Sequence, residues 1–407
     1  MPREVNRRTV LQGIGAASIV GLAGCTGGGG DDGSRELRQG VLLPTSGGLA
    51  NLGVPIKDAA ILPFSQLEGE TDFTINEQVE DTQTDANAAQ NAANSLVNSG
   101  YPAVTGAASS EVSLAVARNV FIPNDVLACS PASTSTEITD LDDKDLFFRT
   151  PPTDALQGPV IAQVASERIE ASSAAVLYLN NSYGQLLNEA FASAFSGDIT
   201  AQVSFQAGQS SYTSQLNQVT ADDPDMLVIV GYPESGVQIF RDFYSSFDSD
   251  LPIVVTDGMR DPALPTDVGN AMANVQGTAP SAAGPGAEFF TTQFEEEYGE
   301  APGVFTAQAY DATAVCLLAN AKAGTNAGPA IAEEMRPVTN PGGEEITPEN
   351  LADGLSMAAD GTEITYQGAS GPVQFDENGD LAAGVYEVYG FQDGGGIETL
   401  TTIEVTN

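Results

Sequence analysis

The sequence predicts an α/β protein built as two doubly wound βαβ lobes. From Leu37 onward, short apolar runs alternate with amphipathic stretches, and the runs outnumber what one continuous sheet holds comfortably. At 407 residues, against a guide of about 150 per domain, the length agrees with two cores. The apolar runs read as strands over 38–43, 73–80, 103–105, 126–129, 174–179, 200–205, 226–230 and 253–256, the seventh wholly apolar as Met226-Leu227-Val228-Ile229-Val230. Helices are expected between them, over 54–67, 86–99, 112–121, 156–170, 185–195, 212–220 and 236–245. That rhythm is the one parallel strands need, because each crossover lays a helix on a sheet face. The second half changes character. Long helices over 287–297 and 305–322 give way to Pro/Gly-rich turns and to a hairpin bending at Asn378-Gly379.

Composition narrows the chemistry. Against 55 Asp plus Glu stand 14 Lys plus Arg, a net charge of −41, so no basic face exists to displace counterions from nucleic acid. His is absent, which removes His-relayed hydrolysis, His-ligated zinc and imidazole acid–base catalysis together. No P-loop exists, since none of Lys57, Lys144 and Lys322 follows a glycine, and there is no Gly-x-Ser-x-Gly elbow. With 42% hydrophobic residues and scattered acids, the chain should fold. The composition resembles that of extreme halophiles: at about 1 M salt the Debye length falls to ~3 Å, and surface carboxylates there repel little.

The first residues read as a targeting device. Asn6-Arg7-Arg8-Thr9-Val10-Leu11 resembles a twin-arginine export signal, and Leu22-Ala23-Gly24-Cys25 resembles a lipobox, so residues 1–25 are expected to be a signal with Cys25 as the lipid anchor. Residues 26–36, with four consecutive glycines, then form a tether. Cys129 and Cys316 lie in apolar runs, as buried free thiols or as a disulfide pair; spacing leaves that open. Asn180-Asn181-Ser182 is a glycosylation sequon.

Doubly wound sheets place ligands beyond the C-terminal ends of their strands. In the first set those ends carry small residues and hydroxyls: Pro44-Thr45-Ser46-Gly47-Gly48, Gly106-Ala107-Ala108-Ser109-Ser110 and Ser130-Pro131-Ala132-Ser133-Thr134. The second set carries Asn181-Ser182-Tyr183-Gly184, Gly231-Tyr232-Pro233-Glu234 and Asp257-Gly258. Donors face aromatics and an acid. An α-amino acid asks for that division, with hydroxyls for its carboxylate, an anion for its ammonium and aromatic walls against water.

Of these motifs, Pro44-Thr45-Ser46-Gly47 and Ser182-Tyr183-Gly184, together with Glu80-Asp81-Thr82-Gln83-Thr84-Asp85, Phe148-Arg149-Thr150-Pro151, Ala309-Tyr310-Asp311-Ala312 and Gly371-Pro372-Val373-Gln374-Phe375-Asp376-Glu377-Asn378-Gly379, match in order. The chain thereby resembles the leucine/isoleucine/valine-binding family of type I periplasmic binding proteins, the solute receptors of ABC importers. The resemblance runs from about Leu37 to Phe391. It implies lobes joined by a three-crossing hinge near 150–153, 279–282 and 373–380, with lobe 1 as 37–150 plus 281–373 and lobe 2 as 151–280 plus 374–407. By the same resemblance, Ser110, Thr134 and the backbone at Ala132 and Ser133 hold a solute carboxylate. Tyr183 and Asp257 meet the ammonium and its flank, and Tyr232 adds a wall. Where amino-acid binders often carry an aromatic after the first strand, this chain has Leu52.

The expectation is thus a non-enzymatic, monomeric receptor without cofactor or metal, lipid-anchored on the outer face of the cell membrane. Its partners are a small amino-acid-like solute, a branched-chain amino acid first, and an ABC permease with its ATPase subunits. Amides, urea or aromatic acids are the alternative solutes, and a membrane signalling partner the alternative destination.

Overall fold

The computed structural model describes residues 35–247, 250–392 and 394–406. The expected signal, its Cys25 anchor and the tether up to residue 34 lie outside the described residues. Among the described residues no helix is long and apolar enough to cross a membrane.

The first lobe opens with β1 (Glu36–Leu43), α1 (Ala50–Leu67), β2 (Thr74–Asp81), α2 (Ala86–Asn98), β3 (Ala103–Gly106), α3 (Ser110–Val116), β4 (Leu127–Ser130) and β5 (Phe147–Arg149). Its sheet runs β2-β1-β3-β4-β5, every pair parallel. Central strands are buried on both faces, as at Val41, Leu42 and Leu43, whereas edge strand β2 stays half exposed. The second lobe follows with α4 (Asp154–Gln163), β6 (Ser173–Leu179), α5 (Ser182–Ala194), β7 (Asp198–Phe205), α6 (Thr213–Val219), β8 (Met226–Val230), α7 (Pro233–Ser246), β9 (Ile253–Val255), α8 (Leu264–Val268) and β10 (Val275–Pro280).

The chain then returns to the first lobe through α9 (Ala287–Tyr298), α10 (Thr306–Ala323), α11 (Gly328–Thr339), β11 (Glu344–Ile346), α12 (Leu351–Ala359) and β12 (Ile364–Tyr366). Helix α10 packs on α1 and on β1, β3 and β4, and its buried residues run without a break from Thr306 to Ala321. That is why its sequence shows no polar face. Finally β13 (Ala383–Phe391) and β14 (Ile397–Thr406) add an antiparallel hairpin to the second sheet, whose order is β14-β13-β10-β9-β8-β6-β7.

The chain passes between the sheets three times, after β5, after β10 and after β12. The crossings are tied together. Arg149, fully buried, pairs with Asp380 through Nε and Nη2, and its Nη1 donates to Ser135 O at 2.7 Å. Thr150 Oγ1 donates to Gln308 O at 2.8 Å.

Several elements differ from the sequence expectation. The bend at Asn378-Gly379 is present, but it closes on a single bridge between Phe375 and Leu381; the extended hairpin is the later one, β13–β14. The cause is local, since Asp376 Oδ1 accepts from the N–H groups of Asn378 and Asp380 and spends the turn on itself. Short β5 and β10 escaped notice because β5 has only three residues and β10 ends in Gly277-Thr278-Ala279-Pro280. Cys129 on β4 and Cys316 on α10 are buried free thiols.

Candidate functional site

Each sheet reverses its winding once. In the first, β1 leads to β2 on one side while β3 lies on the other; in the second, β6 leads to β7 while β8 lies on the other. Loops at such a point splay apart and leave a crevice at the strand ends. Here the two crevices face each other and enclose a tight cleft whose cavity volume is about 20 Å³, little more than one water needs, so the lobes stand closed on each other.

The first wall is a hydroxyl framework. Ser130 Oγ donates to Ala107 O at 2.6 Å and accepts from the N–H of Ser133 at 3.0 Å, which folds 130–133 into a turn. Ser133 Oγ reaches Ala108 O at 3.0 Å and Ser113 Oγ at 2.7 Å. Ser110, the first residue of α3, accepts from Ser135 N–H at 3.3 Å, so its own proton is left for the cleft. Ser110 and Ala132 line the cleft; Ser133 and Thr134 do not. The reason for Ser133 is that both its N–H and its hydroxyl are consumed inside the wall. Thr134 lies behind, where its carbonyl accepts from Asp154 N–H at 2.8 Å and its hydroxyl has no partner.

The second wall is aromatic and acidic. Tyr183 and Tyr232 stack with ring centroids 5.7 Å apart and planes 2° from parallel. Tyr183 Oη donates to Asp257 Oδ1 at 3.2 Å and lies 2.7 Å from Thr256 Oγ1. A Cβ on Gly258 would sit 2.5 Å from Gly231 O, so only glycine lets the turn carrying Asp257 lie against the loop after β8. Burial raises the Asp257 carboxyl to about 6, against the pull of Gln157, Tyr183 and neighbouring N–H groups. Burial also raises the Tyr232 hydroxyl to about 12, so it stays neutral. Tyr183, Tyr232 and Asp257 all line the cleft.

Three features were missed by sequence reasoning. Asp154 and Gln157 of α4 are buried directly behind Asp257, and burial, then the Asp257 charge, push the Asp154 carboxyl well above the carboxylate range. The sequence signal was the Asp itself, placed just after the first crossing between the sheets, where it looks like a helix-start residue. Phe305, expected as the first turn of a helix, instead precedes α10 with φ +63° and closes the apolar end of the cleft with Pro44, Leu49, Leu52 and Ile56. No Lys or Arg lines the cleft among the described residues. At the rim the lobes touch directly: Asn51 Nδ2 donates to Asp261 Oδ2 at 3.0 Å, and Ser109 Oγ lies 3.2 Å from Tyr232 Oη.

Comparison with known proteins adds the relationships. A family model described as periplasmic binding protein matches residues 36–389. The substrate-binding protein BasB of a chemotactic signal transduction system in Halobacterium salinarum is 27% identical over 270 residues, which are 65% of this chain and 62% of BasB, under two thirds of that relative. The leucine-, isoleucine-, valine-, threonine- and alanine-binding protein of Pseudomonas aeruginosa is 24% identical over 355 residues, 85% of this chain and 87% of that protein. The leucine-binding protein LivK of Thermotoga maritima superposes with a TM-score of 0.76 at 25% identity, covering 90% of this chain and 98% of that one.

Proposed function

The chain belongs to the periplasmic binding protein family, and from that premise we propose that it is an extracellular solute receptor of an ABC importer, binding a small zwitterion between its lobes without turnover. One observation carries this reading: a Ser110 hydroxyl with a free proton and the Asp257 carboxylate border one cleft from opposite lobes. A carboxylate on the Ser110 side and an ammonium on the Asp257 side would join the two walls, so the solute itself stabilises closure. The apolar end built by Leu49, Leu52, Ile56 and Phe305 favours an aliphatic side chain, and the binding named for the Pseudomonas and Thermotoga relatives supports a branched-chain amino acid. Aromatic acids and simple amides lack the ammonium that Asp257 awaits.

BasB supports a second destination, in which the closed form reports to a signalling partner instead of feeding a pore. The receptor is proposed to act as a monomer, held to the outer membrane face by a lipidated Cys25 after twin-arginine export. Retention of a Cys25→Ser variant on cells would remove that anchor.

The test is thermal unfolding of the mature protein in multimolar salt with leucine, isoleucine, valine, short amides, urea and aromatic acids. A zwitterion should raise stability by mass action, about 2.7 kcal/mol at a hundred times its Kd. A panel without any shift sinks the receptor reading. Deleting the receptor should then abolish uptake of that solute; loss of taxis with uptake intact selects the signalling destination.

A further inference from the structure

Behind Asp257, beneath the residues that line the cleft, acceptor atoms outnumber the protons that serve them. Asp154 Oδ1 and Oδ2, Gln157 Oε1 and Thr134 Oγ1 are all buried without a hydrogen-bond partner. The Gln157 amide serves other groups, because Nε2 donates to Thr278 O at 3.1 Å and to Thr278 Oγ1 at 3.2 Å and also draws on the Asp257 carboxyl, and its Oε1 is left over. Asp257 sits against this group and adds a second carboxyl. Among the described residues no cation is committed to them. Among the described residues the positive side chain whose charge reaches Asp154 is Arg149, from β5, and its guanidinium is occupied by Asp380, Thr139 Oγ1 and the carbonyl of Ser135. The other titratable groups facing Asp154 are Tyr183 of α5 and Tyr386 of β13, both neutral hydroxyls. Tyr386 already donates to Thr153 O at 3.2 Å and Tyr183 to Asp257.

A buried carboxylate with one threonine hydroxyl within reach, an arginine committed elsewhere and a second carboxyl against it takes up a proton instead of staying charged. A proton on Asp154 turns one of the four stranded acceptors into a donor for its neighbours. We propose that Asp154 and Asp257 form a proton-storing acid pair beneath the cleft: Asp154 keeps its proton while the cleft is empty, and a solute ammonium arriving at the pair discharges that proton to solvent. The books balance with one cation in and one proton out, and the pair then holds the ammonium with two charges instead of one. The discharge rests on the zwitterion reading above; the stored proton does not.

Infrared spectroscopy tests the stored proton without any solute. At neutral pH the wild-type protein should show a carboxylic-acid C=O band that Asp154→Asn removes; equal spectra overturn the proposal. Should Asp154→Asn fail to fold, the difference spectrum of wild-type protein with and without L-leucine replaces it, and a carboxylic-acid band that L-leucine leaves unchanged overturns the proposal. Calorimetry with L-leucine in two buffers of different protonation enthalpy should count about one proton released by the wild type and about none by Asp154→Asn. Asp257 is ionised above its value of about 6, so the pH dependence beyond that point belongs to Asp154. There the L-leucine affinity should rise about tenfold per pH unit, and a flat profile overturns the discharge. If no amino acid of the panel raises the melting temperature, the receptor reading and the discharge fall together, while the infrared result still decides the stored proton.

Discussion

Ser133 and Asp257 end equivalent strand-end loops on opposite lobes, yet their surroundings treat them in opposite ways. On the first wall the hydroxyls of the turn after β4 are held within the wall, Ser130 on Ala107 O and Ser133 on Ala108 O, while the Ser110 proton is left to face the cleft. On the second wall Asp257 receives one side-chain hydroxyl, from Tyr183, and the pull of Gln157, while Asp154 behind it has only the Thr134 hydroxyl within reach. The first wall is therefore finished before a solute arrives, and it supplies shape. The second is left short of protons, so it supplies the demand for positive charge. Selection between solutes should accordingly respond far more to changes on the second wall, and stability more to changes on the first.

The largest effect should come from the anchor of the first wall. Arg149→Leu leaves Asp380 buried and unpaired and frees the Ser135 carbonyl, and should cost about 3–5 kcal/mol in denaturant unfolding. A loss under about 1 kcal/mol would mean that the ion pair does not hold the wall.

Asp257→Asn should cut affinity for a zwitterion by about a hundredfold and affinity for simple carboxylic acids little, by titration calorimetry. The same change should stabilise the empty protein. Burial raises this carboxyl from 3.8 to about 6, so the folded state holds a proton that the unfolded state releases. Stability is full below 3.8 and is lost as pH rises through that window, on the order of 3 kcal/mol by neutral pH, which asparagine escapes. Equal losses for both solute classes would erase the contrast between the walls.

Tyr183→Phe removes the hydroxyl that Asp257 accepts from while keeping the ring stacked on Tyr232, and should weaken zwitterion binding by about tenfold. The smallest effect belongs to the rim. Asn51→Ala deletes a half-buried bond to Asp261 that spans the lobes, and stopped-flow release should quicken by about two- to fivefold with little change in melting. An unchanged release rate would show that the rim bond does not hold the closed state.

Much of the fold was legible because parallel strands buried on both faces print continuous apolar runs; Met226–Val230 needs no context to read as a strand. The loops at those strand ends were legible for the same reason, since a run that stops at Pro-Thr-Ser-Gly or Ser-Pro-Ala-Ser marks its own end. Gly47 is an instance, with φ +82° and no room for a Cβ beside Gln83 O. What escaped was short or indirect. Three residues of β5 carry too little pattern, and α10, buried all round, hides which face meets the sheet. Phe305 looked like an ordinary helix residue until its left-handed backbone turned it into the cleft.

By itself the sequence determined the alternation of strands and helices, the hydroxyl-rich and acid-bearing loops, and the exclusion of His-based and nucleic-acid chemistry, because period, turn chemistry and charge are local or additive properties. Only the tertiary structure decided which hydroxyl keeps a free proton and which carboxyl is short of donors. Those outcomes depend on segments far apart in the chain, β5 against the 376–380 turn and α4 against the Asp257 turn, whose meeting sets how many donors each buried oxygen can find.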